Sequence, residues 1–130
     1  MTAPILLDAS CILSWLFDEP GADEVERVLT TSYITSVNMA EVIRKVDRLT
    51  TDGLACAADL VESGLTVLPF GWQEMASISQ ITLAWQGRGH LSLGDACCLA
   101  TGISQGMDIW TADRSWVELA LPANITLIRD

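Results

Sequence analysis

The stretch Pro4-Ile5-Leu6-Leu7-Asp8-Ala9-Ser10 decides how the rest of the chain is read. A short apolar run closed by an acid has the form of a buried strand whose carboxyl end carries a polar group. Pro4–Leu7 is the expected strand, and Ser10–Phe17 the expected helix after it, broken at Asp18-Glu19-Pro20-Gly21. The same alternation continues down the chain. Helices are predicted over Ala22–Leu29, Asn38–Thr51, Ala55–Glu62, Trp72–Trp85 and Ser92–Gln105, and a short one over Arg114–Ala120. Strands are predicted at Tyr33–Thr35, Leu65–Leu68, Met107–Trp110 and Ile125–Ile128, with a loop at Gly87-Arg88-Gly89-His90. Short apolar runs alternating with longer helical patterns signal βαβ units. The expected fold is therefore a three-layer α/β/α domain around a doubly wound, parallel, five-stranded sheet.

The composition supports one such domain. A chain of 130 residues is one domain by length, and at that size about two-thirds of the unfolded surface can be buried. Half the residues are hydrophobic and 18% are charged, which excludes disorder. Seven Lys plus Arg stand against seventeen Asp plus Glu, a net charge of −10. That excludes a basic groove-binding module, but not action on nucleic acid with metal ions supplying positive charge. The four cysteines, Cys11, Cys56, Cys97 and Cys98, form no C-x-x-C pair and sit in apolar helical stretches; they are expected to be buried, reduced thiols. Met1-Thr2-Ala3-Pro4 lacks a positive region, so no signal peptide is expected. No run approaches the ~20 apolar residues of a membrane span, and the expected location is the cytoplasm.

Four acids stand where a solvated surface would not put them. Asp8 closes the first strand and Asp113 follows the fourth, in Trp110-Thr111-Ala112-Asp113. Glu41 lies in the first turn of the helix after the second strand, in Val37-Asn38-Met39-Ala40-Glu41. Asp95 opens the apolar helix, in Leu91-Ser92-Leu93-Gly94-Asp95. With the first strand central, all four face one end of the sheet, where ligands bind in such folds. Read singly, each also fits a helix terminus: Asp8 and Asp113 as caps, Asn38 to Glu41 as a capping box, Ser92 to Asp95 as a near match. Together they repel, at ~1 kcal/mol per close pair in water and more at low dielectric. A divalent cation offsets that repulsion, and Mg²⁺ or Mn²⁺ suits carboxylates; protonation of one acid is the alternative.

The segments Ile5–Ser10, Val37–Val42, Leu91–Ala96 and Trp110–Asp113 resemble, in order and spacing, the four motifs of the PIN domain, most closely the single-domain VapC-type toxins. The resemblance implies a Mg²⁺- or Mn²⁺-dependent endoribonuclease, dimeric, acting on RNA and silenced by a VapB-type antitoxin. By position it makes Asp8, Glu41, Asp95 and Asp113 the catalytic, metal-binding set. Asp8, Asp95 and Asp113 are the expected direct or water-mediated ligands, and Glu41 a ligand or the group that orients the attacking water. Where some PIN domains carry a further acid, this chain has Ser115-Trp116. Ser10 and Thr111 are candidates for a hydrogen bond to phosphate, water or a ligand carboxylate, and local turn hydroxyls are the alternative.

Arg44, Lys45 and Arg48 follow Glu41 on one predicted helix face. They are candidates for contact with the RNA backbone, or else form a face ion-paired to Glu41 or Asp47. Arg88 and Arg114 are weaker phosphate candidates, and His90, the only histidine, has no partner nearby in sequence. Trp15 and Leu16 are candidates for an exposed groove; the resemblance implies that the helices around Ser10–Leu29 receive an antitoxin segment, and surface or dimer packing is the alternative. Two other classes of protein are compatible with parts of the pattern. One is a PIN-like binding module with a weak or inactive site. The other is a phospho-accepting receiver domain, which needs a paired acid after the first strand and a Lys near the last. Here Ala9-Ser10 follow Asp8, and Lys45 is the only lysine.

Overall fold

Leu6 and Leu7, adjacent in the first strand β1 (Ile5–Leu7), point to opposite faces of the sheet and each joins its own core. This is the two-residue alternation of a strand, applied to one covered on both sides. Leu7 packs with Cys11, Ile12, Ile34 and Val42; Leu6 packs with Ile81, Leu99, Ile109 and Trp116. The computed structural model describes residues 2–50 and 52–130. The other strands are β2 (Tyr33–Thr35), β3 (Thr66–Leu68), β4 (Asp108–Thr111) and β5 (Asn124–Leu127). The helices are α1 (Ala9–Leu16), α2 (Ala22–Val28), α3 (Ser36–Leu49), α4 (Gly53–Ser63), α5 (Ile78–Trp85) and α6 (Leu93–Gln105).

All strand pairs are parallel, in the order β3-β2-β1-β4-β5. The chain runs outward from β1 to β3, then crosses back to β4 on the other side of β1. Strand order therefore reverses between β1 and β4, and a crevice opens at their carboxyl ends. The expected three-layer, doubly wound parallel fold is the fold observed. Helices α1 to α4 contribute to the Leu7 core, and α5 and α6 to the Leu6 core. The predicted apolar helix is buried from Ala96 to Gly102. It ends at Gly106, whose φ of +64° is a left-handed cap that glycine adopts without a Cβ penalty. Among the described residues, no helix is long and apolar enough to cross a membrane.

Three expectations are corrected. Trp72–Trp85 is not one helix: a 3₁₀ turn over Gln73–Ser77 precedes α5. That turn lies against α6 yet buries none of its residues, and Trp72 and Met75 are exposed, so little apolar burial favours α-helical continuation there. Arg114–Ala120 is instead a 3₁₀ turn over Arg114–Glu118, pinned by fully buried Trp116. Pro122 disfavours helix at the residue before it. Helix α3 starts at Ser36 rather than Asn38, because the Thr35 hydroxyl takes the capping role and accepts the Asn38 N–H at 3.0 Å. Its expected end, Thr51, lies outside the described residues.

Candidate functional site

Asp8 stands at the switch point. Its backbone N–H donates to Trp110 O at 2.9 Å, which extends the β1–β4 ladder into the crevice. The side chain is 3% exposed. One carboxylate oxygen, Oδ2, accepts from Ser10 Oγ at 2.8 Å and from Thr111 Oγ1 at 3.1 Å. The other, Oδ1, is buried and has no hydrogen-bond partner. Asp8 occupies the N-cap position of α1 but makes no capping bond with its side chain. The cap expectation therefore fails, and its carboxylate is free for other work.

The two hydroxyls also fix the loop after β4. Ser10 Oγ accepts the Ala112 N–H at 3.0 Å, and Thr111 Oγ1 accepts the Asp113 N–H at 3.0 Å. Asp113 is exposed and does cap the following turn, through Ser115 N–H at 2.9 Å. Ser10 and Thr111 thus hydrogen-bond a carboxylate of the acidic set while ordering the turn that carries a second one.

Glu41 and Asp95 arrive from the other side. Ser92 caps α6 by accepting the Asp95 N–H at 3.1 Å, which sets Asp95 in the first turn. Glu41 is held by Asn38, whose Nδ2 donates to Glu41 Oε1 at 2.8 Å and to Gly94 O at 3.1 Å. The expected capping box is therefore a side-chain pair inside α3. The roles of Asn38 and Gly94 were not read from the sequence. An asparagine three residues before the acid fitted a cap, and a glycine beside Asp95 gave no signal of its own.

The electrostatics join the four acids. Burial pushes Asp8 from the ordinary 3.8 up to about 7; Asp95 and Glu41 push the same way, against the Ser10 and Thr111 hydrogen bonds. Burial also raises Asp95, with Glu41 and Asp113 adding to it. Among the described residues, the ion pairs are Arg27–Glu24, Arg88–Glu118 and Arg129–Glu19, and none neutralises the set. Also among the described residues, no three His, Cys, Asp or Glu side chains stand close enough as placed to hold an ion. An all-oxygen set with one buried, unpartnered carboxylate oxygen fits a hard cation held by one or two carboxylates and otherwise by water, the habit of Mg²⁺.

Arg44, Lys45 and Arg48 are exposed on α3, and among the described residues none forms an ion pair with Glu41 or Asp47. Arg88 is occupied: it pairs with Glu118, donates to Ser115 O and lies 5.7 Å from the Trp85 ring centroid. Arg114 is exposed in the turn beside Asp113. His90 is exposed and lines a cleft of about 470 Å³ with Trp85 and Ser92. All four cysteines are free; Cys11, Cys97 and Cys98 are buried and Cys56 partly so. Trp15 and Leu16 line a groove of about 490 Å³ against Cys56 and Leu60 of α4, with Asp52 and Asp59 also at its walls.

The fold is similar to that of several solved toxin–antitoxin proteins. One is a DNA-bound VapBC from Salmonella typhimurium, at 18% identity and a TM-score of 0.76, covering 98% of this chain and 99% of that one. Another is a toxin–antitoxin complex from Klebsiella pneumoniae, at 13% identity and a TM-score of 0.75, covering 97% and 98%. A third is the sarcin-ricin-loop-cleaving toxin VapC20 of Mycobacterium tuberculosis, at 13% identity and a TM-score of 0.67, covering 89% and 96%. At these identities the likeness is one of fold. No curated protein matches the chain. Residues 5–121 match the PIN domain family, a span that sets aside the receiver reading. It contains all six helices, four of the five strands and all four acids, and the chain belongs to the PIN domain family.

Proposed function

We propose that this protein is a Mg²⁺- or Mn²⁺-dependent endoribonuclease that serves as the toxin of a toxin–antitoxin pair. The observation that carries the reading is Asp8: buried at the switch point, with one oxygen unpartnered, near Asp95 and Glu41, and with no neutralising base among the described residues. Such an arrangement is costly for folding alone and suits a site that binds a cation. The sarcin-ricin-loop-cleaving toxin among the structures of similar fold supports the choice of RNA as substrate.

In such a site a divalent cation supplies positive charge against the phosphate and a more acidic water. Asp8, Asp95 and Asp113 would hold it, directly or through water. Glu41 would add a ligand or orient the attacking water. Ser10 and Thr111 keep Asp8 turned toward the crevice and favour its ionised form. Arg44, Lys45 and Arg48 would hold the RNA backbone, since a chain of net charge −10 needs a local positive surface to approach a polyanion.

The partner would be a VapB-type antitoxin, as the similar VapBC complexes suggest. Homodimerisation has a physical motive in large apolar side chains left exposed, including Trp72, Leu83 and Leu93. The test is cleavage of total RNA by the protein purified free of antitoxin. Cutting is expected with Mg²⁺ or Mn²⁺, and its loss with EDTA or in Asp8→Asn. A protein that binds the metal yet cuts no RNA is instead a PIN-like binding module.

A further inference from the structure

Asn38 is completely buried, and every hydrogen-bonding atom of its side chain is used. Its Oδ1 accepts from Thr35 Oγ1, and its two Nδ2 hydrogens go to Glu41 Oε1 and Gly94 O. The amide can stand only one way round. A carboxylate and a backbone carbonyl are both acceptors, so the nitrogen must face them. One side chain on α3 therefore grips the first turn of α6 and a carboxylate of the acidic set together. Gly94 completes the seat. A Cβ at Gly94 would overlap both Glu41 carboxylate oxygens. The Glu41 carboxylate lies against the bare Cα of the residue next to Asp95, a position that any side chain at 94 would deny it.

We propose that Asn38 and Gly94 are the positioning residues of this site: Asn38 fixes the Glu41 carboxylate by hydrogen bond, and Gly94 leaves the space in which it sits beside Asp95. The inference rests on the nuclease reading for its effect on rate, and on geometry alone for the seat. The two residues act from different helices on one carboxylate, and changing them separates position from stability. Asn38→Asp keeps the volume and removes the donor, setting a carboxylate against Glu41 and the Gly94 carbonyl. Gly94→Ala evicts the end of a flexible side chain, while alanine is the better helix former.

The test compares wild type, Asn38→Asp, Gly94→Ala, Glu41→Ala and the two doubles with Glu41→Ala. Cleavage kinetics, Mn²⁺ affinity by calorimetry and thermal midpoint are measured for each. Asn38→Asp and Gly94→Ala should each lower kcat about tenfold, the scale of one hydrogen bond to a charged group, with KM for RNA within about twofold. Gly94→Ala should lower the thermal midpoint no more than Glu41→Ala, which leaves the same Asn38 N–H without its acceptor. In the doubles the loss should be that of Glu41→Ala alone, because residues acting as a unit are not additive. Losses that stay full in the Glu41→Ala background, or that track lost stability, overturn the proposal.

Amide exchange by NMR decides the seat even where nothing is cut. The Asn38 side-chain amide should be protected in wild type and lose protection in Glu41→Ala. Fast exchange that Glu41→Ala leaves unchanged overturns the seat. A wild type with neither cleavage nor Mn²⁺ binding, and a protected amide, sinks the nuclease reading and leaves the seat standing.

Discussion

Thr111 Oγ1 donates to Asp8 Oδ2 at 3.1 Å across 103 residues of sequence, and it accepts the Asp113 N–H at 3.0 Å in the same position. One hydroxyl thus ties together the two strand-end acids. Thr111→Val keeps the shape and removes both bonds. It should lower stability on the order of 1–3 kcal/mol, because the buried Asp8 carboxylate and the Asp113 N–H each lose a partner. It should also push Asp8 further up, since the Thr111 bond acts to lower it. Urea unfolding of the two proteins measures the first effect. A variant as stable as wild type would mean that water replaces the hydroxyl.

Asp8 should make the metal-free protein less stable as the pH rises. Its carboxyl is raised from 3.8 to about 7, so between those values the native state binds more protons than the unfolded chain. Stability then falls with increasing pH across that window, and the contribution is fully present only below it. Asp95 shifts the same way. Asp8→Asn should remove most of the slope and stabilise the metal-free protein above neutral pH, on the order of a few kcal/mol. Saturating Mg²⁺ or Mn²⁺ should raise the wild-type thermal midpoint at pH 8 far more than at pH 5, and should do little for Asp8→Asn. Thermal unfolding across pH, with and without metal, reads all of this. A flat wild-type profile would mean that the carboxylate is solvated after all.

The fold was legible because its signal is periodic. Short apolar runs such as Ile5-Leu6-Leu7 and longer helical patterns alternate, and each acid falls at a punctuation point between them. The candidate acids were legible as a set for the same reason, since strand ends and helix starts share one end of a parallel sheet. Local geometry was less so. Trp72 to Trp85 carries a helical pattern, yet its first half lies on α6 without burying a side chain. Asn38 has the composition of a cap, but Thr35 is better placed, and the amide is released to reach Glu41 and Gly94. Gly94 shows no pattern at all, because its function is to lack a side chain where another helix delivers a carboxylate.

The α3 track should govern RNA affinity and leave the acids untouched. Arg44, Lys45 and Arg48 are exposed and unpaired among the described residues. Replacing all three by Gln should weaken RNA binding most at low salt. It should reduce the slope of log affinity against log salt by about two, the value for three single-strand phosphate contacts. Mn²⁺ affinity should be unchanged. Filter binding over a salt series tests it, and an unchanged slope would place the RNA backbone elsewhere on the surface.

An inhibitory antitoxin segment should engage two places joined by α1. Helix α1 has 8 residues, so Asp8 at its start and Trp15-Leu16 at its end lie about 12 Å apart. An extended segment of about four residues spans that distance. At one end it would set an apolar side chain into the groove of Trp15, Leu16 and Leu60, beside Asp52 and Asp59. At the other it would present Arg or Lys to the acids, where a guanidinium takes the place of a cation. Trp15→Ala should then cost affinity for the antitoxin on the order of 2 kcal/mol, as buried aromatic anchors do. Asp52→Asn with Asp59→Asn should cost less and lower the salt dependence. Replacing the antitoxin's basic residue should restore cleavage while the complex still forms. A complex that inhibits with all four acids open to solvent contradicts the second contact, and one indifferent to Trp15→Ala contradicts the first.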